Sequence, residues 1–408
     1  MKKLAINGGE RIRNKPFTKW PIFGEEEITQ VNEVFNSRVW GIGGTKVKEF
    51  EDLFAQMHNA KFGIAVVNGT VALEVALKAC KIGDGDEVIV PDYTFAATAT
   101  SVLNVNAIPV FVDIDPDTFS IDPNKISEAI TTKTKAIIAV HMGGQPANMD
   151  AIMQIAEKAN LYVIEDAAQA HFAEWKSKKI GSIGHIASFS FQSSKNITSG
   201  EGGIVITNNE ELAQRSWSYH NSGRRLGGQW YEHPFLGSNY RMTEFQAAIL
   251  LAQLKRANQQ KEIREHNAQH LTERLLKING VNVLKRDSRV NVHSYHLYIL
   301  KYQEEKFPGI SRDVFVNALN SEGIPATRGY VPLHKEGFLK EVKEFTIKSL
   351  DYAKKNYDNI SFPETEKACR NSIWLPQYIL LGTIKDIDDV ADAFEKIIEN
   401  IDELKSLN

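Results

Sequence analysis

Three stretches hold residues whose types and spacing suit chemistry. Lys195 sits in Gln192-Ser193-Ser194-Lys195-Asn196-Ile197-Thr198-Ser199-Gly200-Glu201-Gly202-Gly203, small polar residues and glycines between apolar runs at 186–191 and 204–207. A lysine so placed can clamp a phosphate, act as a nucleophilic amine, or be an ordinary loop lysine, and the stretch alone leaves all three open. Leu161-Tyr162-Val163-Ile164 runs into Glu165 and Asp166, so the carboxylates end a buried strand, where open α/β sheets bind ligands. Asp166 and Lys195 are 29 positions apart, enough chain to cross a sheet edge and return, so both can face one ligand. Asn68-Gly69-Thr70 joins a strand pattern at 64–67 to a helical one at 71–80. Free N–H groups and the positive helix end meet at such a turn, which serves ordinary capping or an anion.

Other patterns carry less. Asp113-Ile114-Asp115-Pro116-Asp117 starts like a calcium loop, but Thr118 stands where glycine is needed and Asn124 where a bidentate glutamate is needed, so it reads as a solvated turn. His293 and His296 fall in a strand-like run through Ile299 and would face opposite sides, which favours structural histidines over a metal pair. No metal site is expected. The glycines of Arg38-Val39-Trp40-Gly41-Ile42-Gly43-Gly44-Thr45 lack the spacing of a nucleotide loop and read as a flexible connection.

S-F-S-F-Q-x-S-K-N-x-T-x-G-E-G-G over 188–203, E-D-A-A-Q-A-H over 165–171 and G-x-N-Y-R-M-T-E-x-Q-A-A over 237–248 agree in order along the chain. Together they resemble the DegT/DnrJ/EryC1/StrS family of sugar aminotransferases, which depend on pyridoxal 5'-phosphate (PLP) and have the aspartate aminotransferase-like fold type I. The resemblance spans about residues 4 to 400. It implies that Lys195 carries PLP as an internal aldimine and then moves the proton as general acid and base. It also implies that Asp166 pairs with the pyridinium nitrogen, that Gln169 bonds the ring 3-oxygen, and that Phe95 rather than Tyr93 stacks on the ring. Gly69, Thr70 and Ser190 would hold the phosphate together with Asn239 of a neighbouring subunit, which makes the expected form a homodimer with interfacial sites. Arg241, Arg328 and Tyr330 are expected to border the substrate, the latter two beside the E-G-I-P and G-Y-x-P-L-H signatures at 322–325 and 329–334.

The implied reaction moves an amino group from glutamate or glutamine, through pyridoxamine phosphate, to the carbonyl of a nucleotide-linked or phosphorylated keto sugar or of a keto-cyclitol. L-A-I-N-G-G near the start and W-P-x-F-G-E-E-E over 20–27 resemble the branch that aminates keto-cyclitols for aminoglycosides. A PLP-dependent sugar dehydratase is one alternative, although dehydrating relatives carry histidine where this chain has Lys195. A non-catalytic PLP-binding regulator is the other. Two departures from the family pattern, Phe172 for glycine and His185 for aspartate, are expected near the site.

Strand patterns at 64–67, 87–90, 109–112 and 136–141 alternate with helical ones, a βαβ rhythm that implies a mostly parallel sheet flanked by helices. An α/β chain is expected, with an irregular N-terminal arm over 1–25, a large PLP-binding domain over 26–255, and a linking helix with a small α+β domain over 256–408. In that last part, 292–300 reads as one element. Apolar and charged fractions of 42% and 24% are those of a folded globular chain. A net charge of −3 without charged blocks gives no footprint for nucleic acid. No apolar run reaches membrane-spanning length, and Ala5-Ile6-Asn7-Gly8-Gly9-Glu10 interrupts any signal-like start. Cys80 and Cys369 form no motif, so a reducing cytoplasm is the expected location.

Overall fold

A computed structural model describes residues 3–342 and 360–407. Its largest unit is a seven-stranded sheet built from β1 (Phe62–Val66), β2 (Glu87–Pro91), β3 (Ile108–Val112), β4 (Thr134–Val140), β5 (Tyr162–Asp166), β6 (Ile186–Ser190) and β7 (Gly203–Thr207). In space the order is β1-β7-β6-β5-β4-β2-β3. From β6 to β3 all neighbours are parallel, whereas β7 is antiparallel to both β6 and β1. The reversal has a simple cause: residues 191–202 link β6 to β7 without a crossover helix, and only antiparallel strands can be joined that way.

Both faces of the sheet are covered. Along β4, Ile137 and Ala139 enter one core while Ala136, Ile138 and Val140 enter the other, the period-2 alternation of a strand buried on both sides. On the first face lies α2 (Lys46–Met57), inserting Phe50 and Phe54 four residues apart, while α1 (Glu25–Ser37) packs on the long helix Glu244–Leu275. α3 (Gly69–Ala79) and α4 (Ala97–Asn104) cover the second face.

α5 (Glu244–Leu275) has 32 residues and starts at a capping box formed by Thr243 and Gln246. Leu250, Leu251 and Leu254 in its first half pack into the large-sheet core. Ala268, Leu271 and Leu275 in its second half pack into a separate core around a four-stranded antiparallel sheet. Residue 255 therefore falls inside one continuous helix. The smaller sheet has the order β8-β9-β11-β10, with β8 (Val281–Val283), β9 (Leu297–Tyr302), β10 (Thr327–Arg328) and β11 (Ser372–Pro376).

Several expectations change. The 292–300 element is two pieces: Val290–Val292 joins a separate three-stranded sheet, and β9 begins only at Leu297. His293 and His296 lie in the loop between them, where Tyr295 has a φ of 48° that no strand allows. The 38–45 loop is not free, because Glu244 accepts from the N–H groups of Lys46 and Val47, and a Cβ on Gly44 would overlap the Glu244 carboxyl group. Asp113 is not a solvated turn residue, for it is buried and accepts from the N–H groups of Glu364 and Thr365. The N-terminal arm is tied down by Glu322, which takes the N–H groups of Ala5 and Ile12 and pairs with Lys396 at 2.9 Å.

Candidate active site

The parallel strands β4, β5 and β6 all end at one edge of the sheet, and β1 ends beside them. Asp166 closes β5 there, and Lys195 follows β6 in a turn where its N–H donates to the Gln192 carbonyl at 2.9 Å. Alternation along β5 separates the two neighbouring carboxylates. Glu165 turns to the opposite face, where it accepts from the N–H groups of Gly181, Ile183 and Gly184 and from His141 Nε2 at 3.2 Å. Burial alone raises its pKa, but His141 and those N–H groups outweigh it and the net shift is downward. Glu165 is thus a structural clasp.

Asp166 is left facing the sheet edge. Thr98 donates its hydroxyl to Asp166 Oδ2 at 2.9 Å, Thr94 lies 3.0 Å from Thr98, and the Ala168 N–H reaches Oδ1 at 3.3 Å. Burial still pushes the Asp166 carboxyl upward, against the pull of Thr98, Ala168 and Lys195. A buried carboxylate in that condition gains most from a cationic partner. Lys195 keeps a path to solvent, yet protein closes around its ammonium. That burial lowers its pKa to about 8, with Asp166 pulling the other way. An amine in this range has an appreciable neutral fraction near neutral pH, the form that acts as base and nucleophile, whereas an ordinary lysine has almost none.

At the near end of the same edge, β6 ends at Ser190 and β1 leads into α3. Asn68 caps that helix by accepting from the Val71 N–H at 2.9 Å, which leaves the Gly69 and Thr70 N–H groups at the open helix end. A Cβ on Gly69 would stand 2.6 Å from the Ser190 Cβ, so only glycine lets the helix end and the serine converge. His171 donates through Nε2 to the Ser190 carbonyl at 2.9 Å and fixes the strand end from below.

Gln169 accepts from the Gly143 N–H at 2.8 Å and donates to the Tyr330 hydroxyl at 3.0 Å. Tyr330 packs edge-on to Trp374 at 4.6 Å and lies 6.5 Å from Phe95. Phe95 is 59% exposed, whereas Tyr93 is buried with its hydroxyl 2.8 Å from Ser372, so of the two only Phe95 offers a free ring face. Lys195, Asp166, Gln169, Ser190, Gly69, Thr70, Phe95 and Tyr330 thus come from separate strand ends to one edge.

Asn239 and Arg241 belong to a segment beside the end of β1, where Arg241 bridges Val66 and the Tyr240 carbonyl accepts from the Val67 N–H at 3.0 Å. Asn239 is exposed beside Asn221, and Arg241 donates to Asn221 Oδ1 at 3.0 Å and Ser222 Oγ at 3.3 Å. Arg328 is exposed and 3.7 Å from Asp313. Phe172 and His185, expected near the site, are not there. Phe172 has a φ of 61°, the left-handed region that favours glycine, and stacks on His58 in the core. His185 precedes β6 and accepts from the Val163 N–H, about 10 Å of strand from Asp166. Thr98 was not singled out in the sequence, although its i,i+4 spacing from Thr94 would place both on one side of a helix start.

The donor set fits pyridoxal phosphate: a carboxylate for the pyridine nitrogen, an amine for the aldehyde, and a glycine cradle with a serine for the phosphate. Among the described residues no helix is long and apolar enough to cross a membrane.

Comparison with known proteins agrees with this geometry. The model of the DegT/DnrJ/EryC1/StrS aminotransferase family matches residues 21–395. L-glutamine:2-deoxy-scyllo-inosose aminotransferase of Streptoalloteichus tenebrarius is 34% identical over 99% of this chain and 99% of its own length. Among solved structures, 3-amino-5-hydroxybenzoic acid synthase superposes with a TM-score of 0.87 at 31% identity, covering 95% of this chain and 100% of that one. The Streptococcus pneumoniae protein Spr1654, solved in a PLP form, does so with a TM-score of 0.81 at 27% identity, again over 95% and 100%. The family is PLP-dependent. This chain belongs to the DegT/DnrJ/EryC1/StrS aminotransferase family, with the fold type I architecture, and is a sugar or cyclitol aminotransferase.

Proposed function

We propose that the protein binds PLP at this edge and moves the amino group of L-glutamine to the ring carbonyl of a keto-cyclitol or closely related keto sugar. The observation that carries this reading is that a buried carboxylate, Asp166, and an amine enclosed by protein, Lys195, meet at one sheet edge with the Gly69–Ser190 cradle beside them. The donor and acceptor classes rest on the Streptoalloteichus relative, whose name specifies L-glutamine and an inosose.

When bound, PLP supplies an electron sink for charge at the carbon that bears the transferred amine. Gly69, Thr70 and Ser190 hold the phosphate through neutral hydrogen bonds. Asp166, oriented by Thr98, keeps the proton on the pyridine nitrogen by its negative charge. Phe95 covers one face of the ring, and Gln169, held between Gly143 and Tyr330, addresses the 3-oxygen. The Lys195 amine takes the proton from the α-carbon of the donor and returns it at the neighbouring position, the task its lowered pKa suits. Arg241, Arg328 and Tyr330 border the acceptor in this reading.

We also assign a homodimer in which Asn239 completes the phosphate site of the partner. Asn239 is exposed on its own subunit, and its neighbourhood carries exposed Leu226, Trp230, Tyr231, Phe235 and Leu236, an apolar surface that a second subunit would cover. Incubation of the PLP-loaded protein with L-glutamine and a panel of keto-cyclitols and keto sugars, with mass spectrometry of the products, tests the reading. Conversion of a ring ketone to the amine supports it, and absence of any aminated product across the panel contradicts it.

A further inference from the structure

The N-terminal arm starts as part of the small domain. Leu4 and Phe17 lie in the core around the four-stranded sheet, and Arg13 pairs with Asp386 at 2.7 Å and Asp389 at 2.6 Å. Past Phe17 the chain leaves that domain. The Ile22 carbonyl accepts from Gln253 Nε2 at 2.8 Å in the first half of α5, and α1 then packs on the same helix. Between these two attachments the Trp20 indole N–H donates to the carbonyl of Ser193 at 2.9 Å. Its ring is braced 5.5 Å from the Arg264 guanidinium on α5. In W-P-x-F-G-E-E-E, Gly24 and Glu27 serve the start of α1, where the Gly24 N–H donates to the Glu27 carboxylate at 2.9 Å, whereas Trp20 serves the lysine turn.

Ser193 stands two residues before Lys195, in a turn that little else holds. The Gln192 N–H donates to Ser190 Oγ, the Gln192 amide bonds the hydroxyls of Ser193 and Ser194, and the Lys195 N–H returns to the Gln192 carbonyl. Ser193 and Ser194 are exposed. Among the described residues, the bond from Trp20 is the one hydrogen bond that ties residues 192–195 to chain outside 190–195. Just after the lysine the chain is fixed again, because Asn196 is buried and donates to the Ser294 carbonyl at 2.6 Å.

We infer that Trp20 is a positioning residue for Lys195: its indole N–H fixes the turn that presents the amine, and the arm carries that constraint from the small domain to the reaction centre. The inference rests on the aminotransferase reading above, in which Lys195 moves the proton. One neutral, partly exposed hydrogen bond adds little to global stability, yet a reacting group misplaced by about 1 Å can lose about 100-fold in rate. The bond therefore matters where placement is read, at the amine.

Trp20→Phe keeps a ring and removes the donor, and Trp20→His keeps a ring N–H. Hydrogen exchange of the full-length protein, with and without PLP and read by mass spectrometry, should show the 192–199 amides of Trp20→Phe exchanging about 10-fold faster without PLP, with the strands of the large sheet unchanged. In the reaction of the PLP-loaded protein with L-glutamine, kcat should fall about 10-fold while KM stays within about 2-fold, the pattern of a contact that matters in the transition state alone. Trp20→His should recover part of both effects. If Trp20→Phe does not fold, Trp20→His carries the test by showing the same two effects in smaller measure. Wild-type exchange at 192–199, a loosened turn with wild-type kcat, a rise in KM alone, or faster exchange spread through the whole chain overturns the assignment. A turn loosened in Trp20→Phe, when the wild type takes no amine from any donor, keeps Trp20 as the tether of the lysine turn and overturns the aminotransferase reading instead.

Discussion

Gly69 and Ser190 approach so closely that a Cβ on residue 69 would lie 2.6 Å from the Ser190 Cβ, with the Ser190 hydroxyl oxygen 3.1 Å away. Helix end and strand end can therefore share one ligand only while residue 69 is glycine. Gly69→Ala should force them apart, costing about 1–3 kcal/mol by overpacking. Part of that cost should appear as a lower melting temperature and part as weaker PLP binding in equilibrium dialysis. Wild-type PLP affinity in the alanine variant would argue against the cradle.

Thr98 holds Asp166 at 2.9 Å and is one of the contacts that oppose the upward push of burial on that carboxyl. Its removal in Thr98→Val should raise the Asp166 pKa further. The ionised carboxylate would then be lost at a higher pH, so the acid limb of the kcat profile should move up, with kcat near neutrality down about 10-fold. Thr98→Ser should restore the profile. An unshifted acid limb in the valine variant would remove Thr98 from the account.

Burial lowers the Lys195 pKa from 10.5 to about 8, against the upward pull of the Asp166 charge. Only the neutral amine attacks the PLP aldehyde, so the rate at which cofactor-free protein takes up PLP should climb with pH and level off above about 8. Asp166→Asn should shift that midpoint downward, since the charge favouring the ammonium is gone. A midpoint near the ordinary lysine value would contradict the burial argument.

If Asn239 serves the partner's site, Lys195→Ala and Asn239→Ala chains should complement each other. Mixed one to one with subunit exchange, half the dimers are mixed, and each of these holds one intact site in two. Activity should return to about a quarter of wild type. Two variants that stay inactive when mixed would place Asn239 in its own subunit's site, and an Asn239→Ala chain active by itself would place it outside catalysis.

The sequence made parts of this molecule legible for identifiable reasons. Asp166 and Lys195 stand at the ends of strong apolar runs, so their place at a sheet edge follows from local pattern, and the turn at Gly69 does likewise. The antiparallel direction of β7 depended on the absence of a crossover helix between 191 and 202, which the βαβ rhythm upstream obscured. Thr98 and Trp20 reach the site from 68 positions before Asp166 and 175 before Lys195, contacts that only the packed fold creates. The placement of Phe172 and His185 failed for a related reason. Closeness in sequence to Asp166 says little when the chain leaves the site within a few residues.

The most direct measurement is the absorption spectrum of the PLP-loaded protein before and after addition of L-glutamine, with Lys195→Ala as control. The account predicts a visible band of lysine-bound PLP that gives way to the shorter-wavelength band of the pyridoxamine form on adding donor, and no such lysine-dependent band in Lys195→Ala. A band that L-glutamine leaves unchanged would contradict the donor assignment, and the same band in Lys195→Ala would contradict the role of Lys195 on which the mechanism stands.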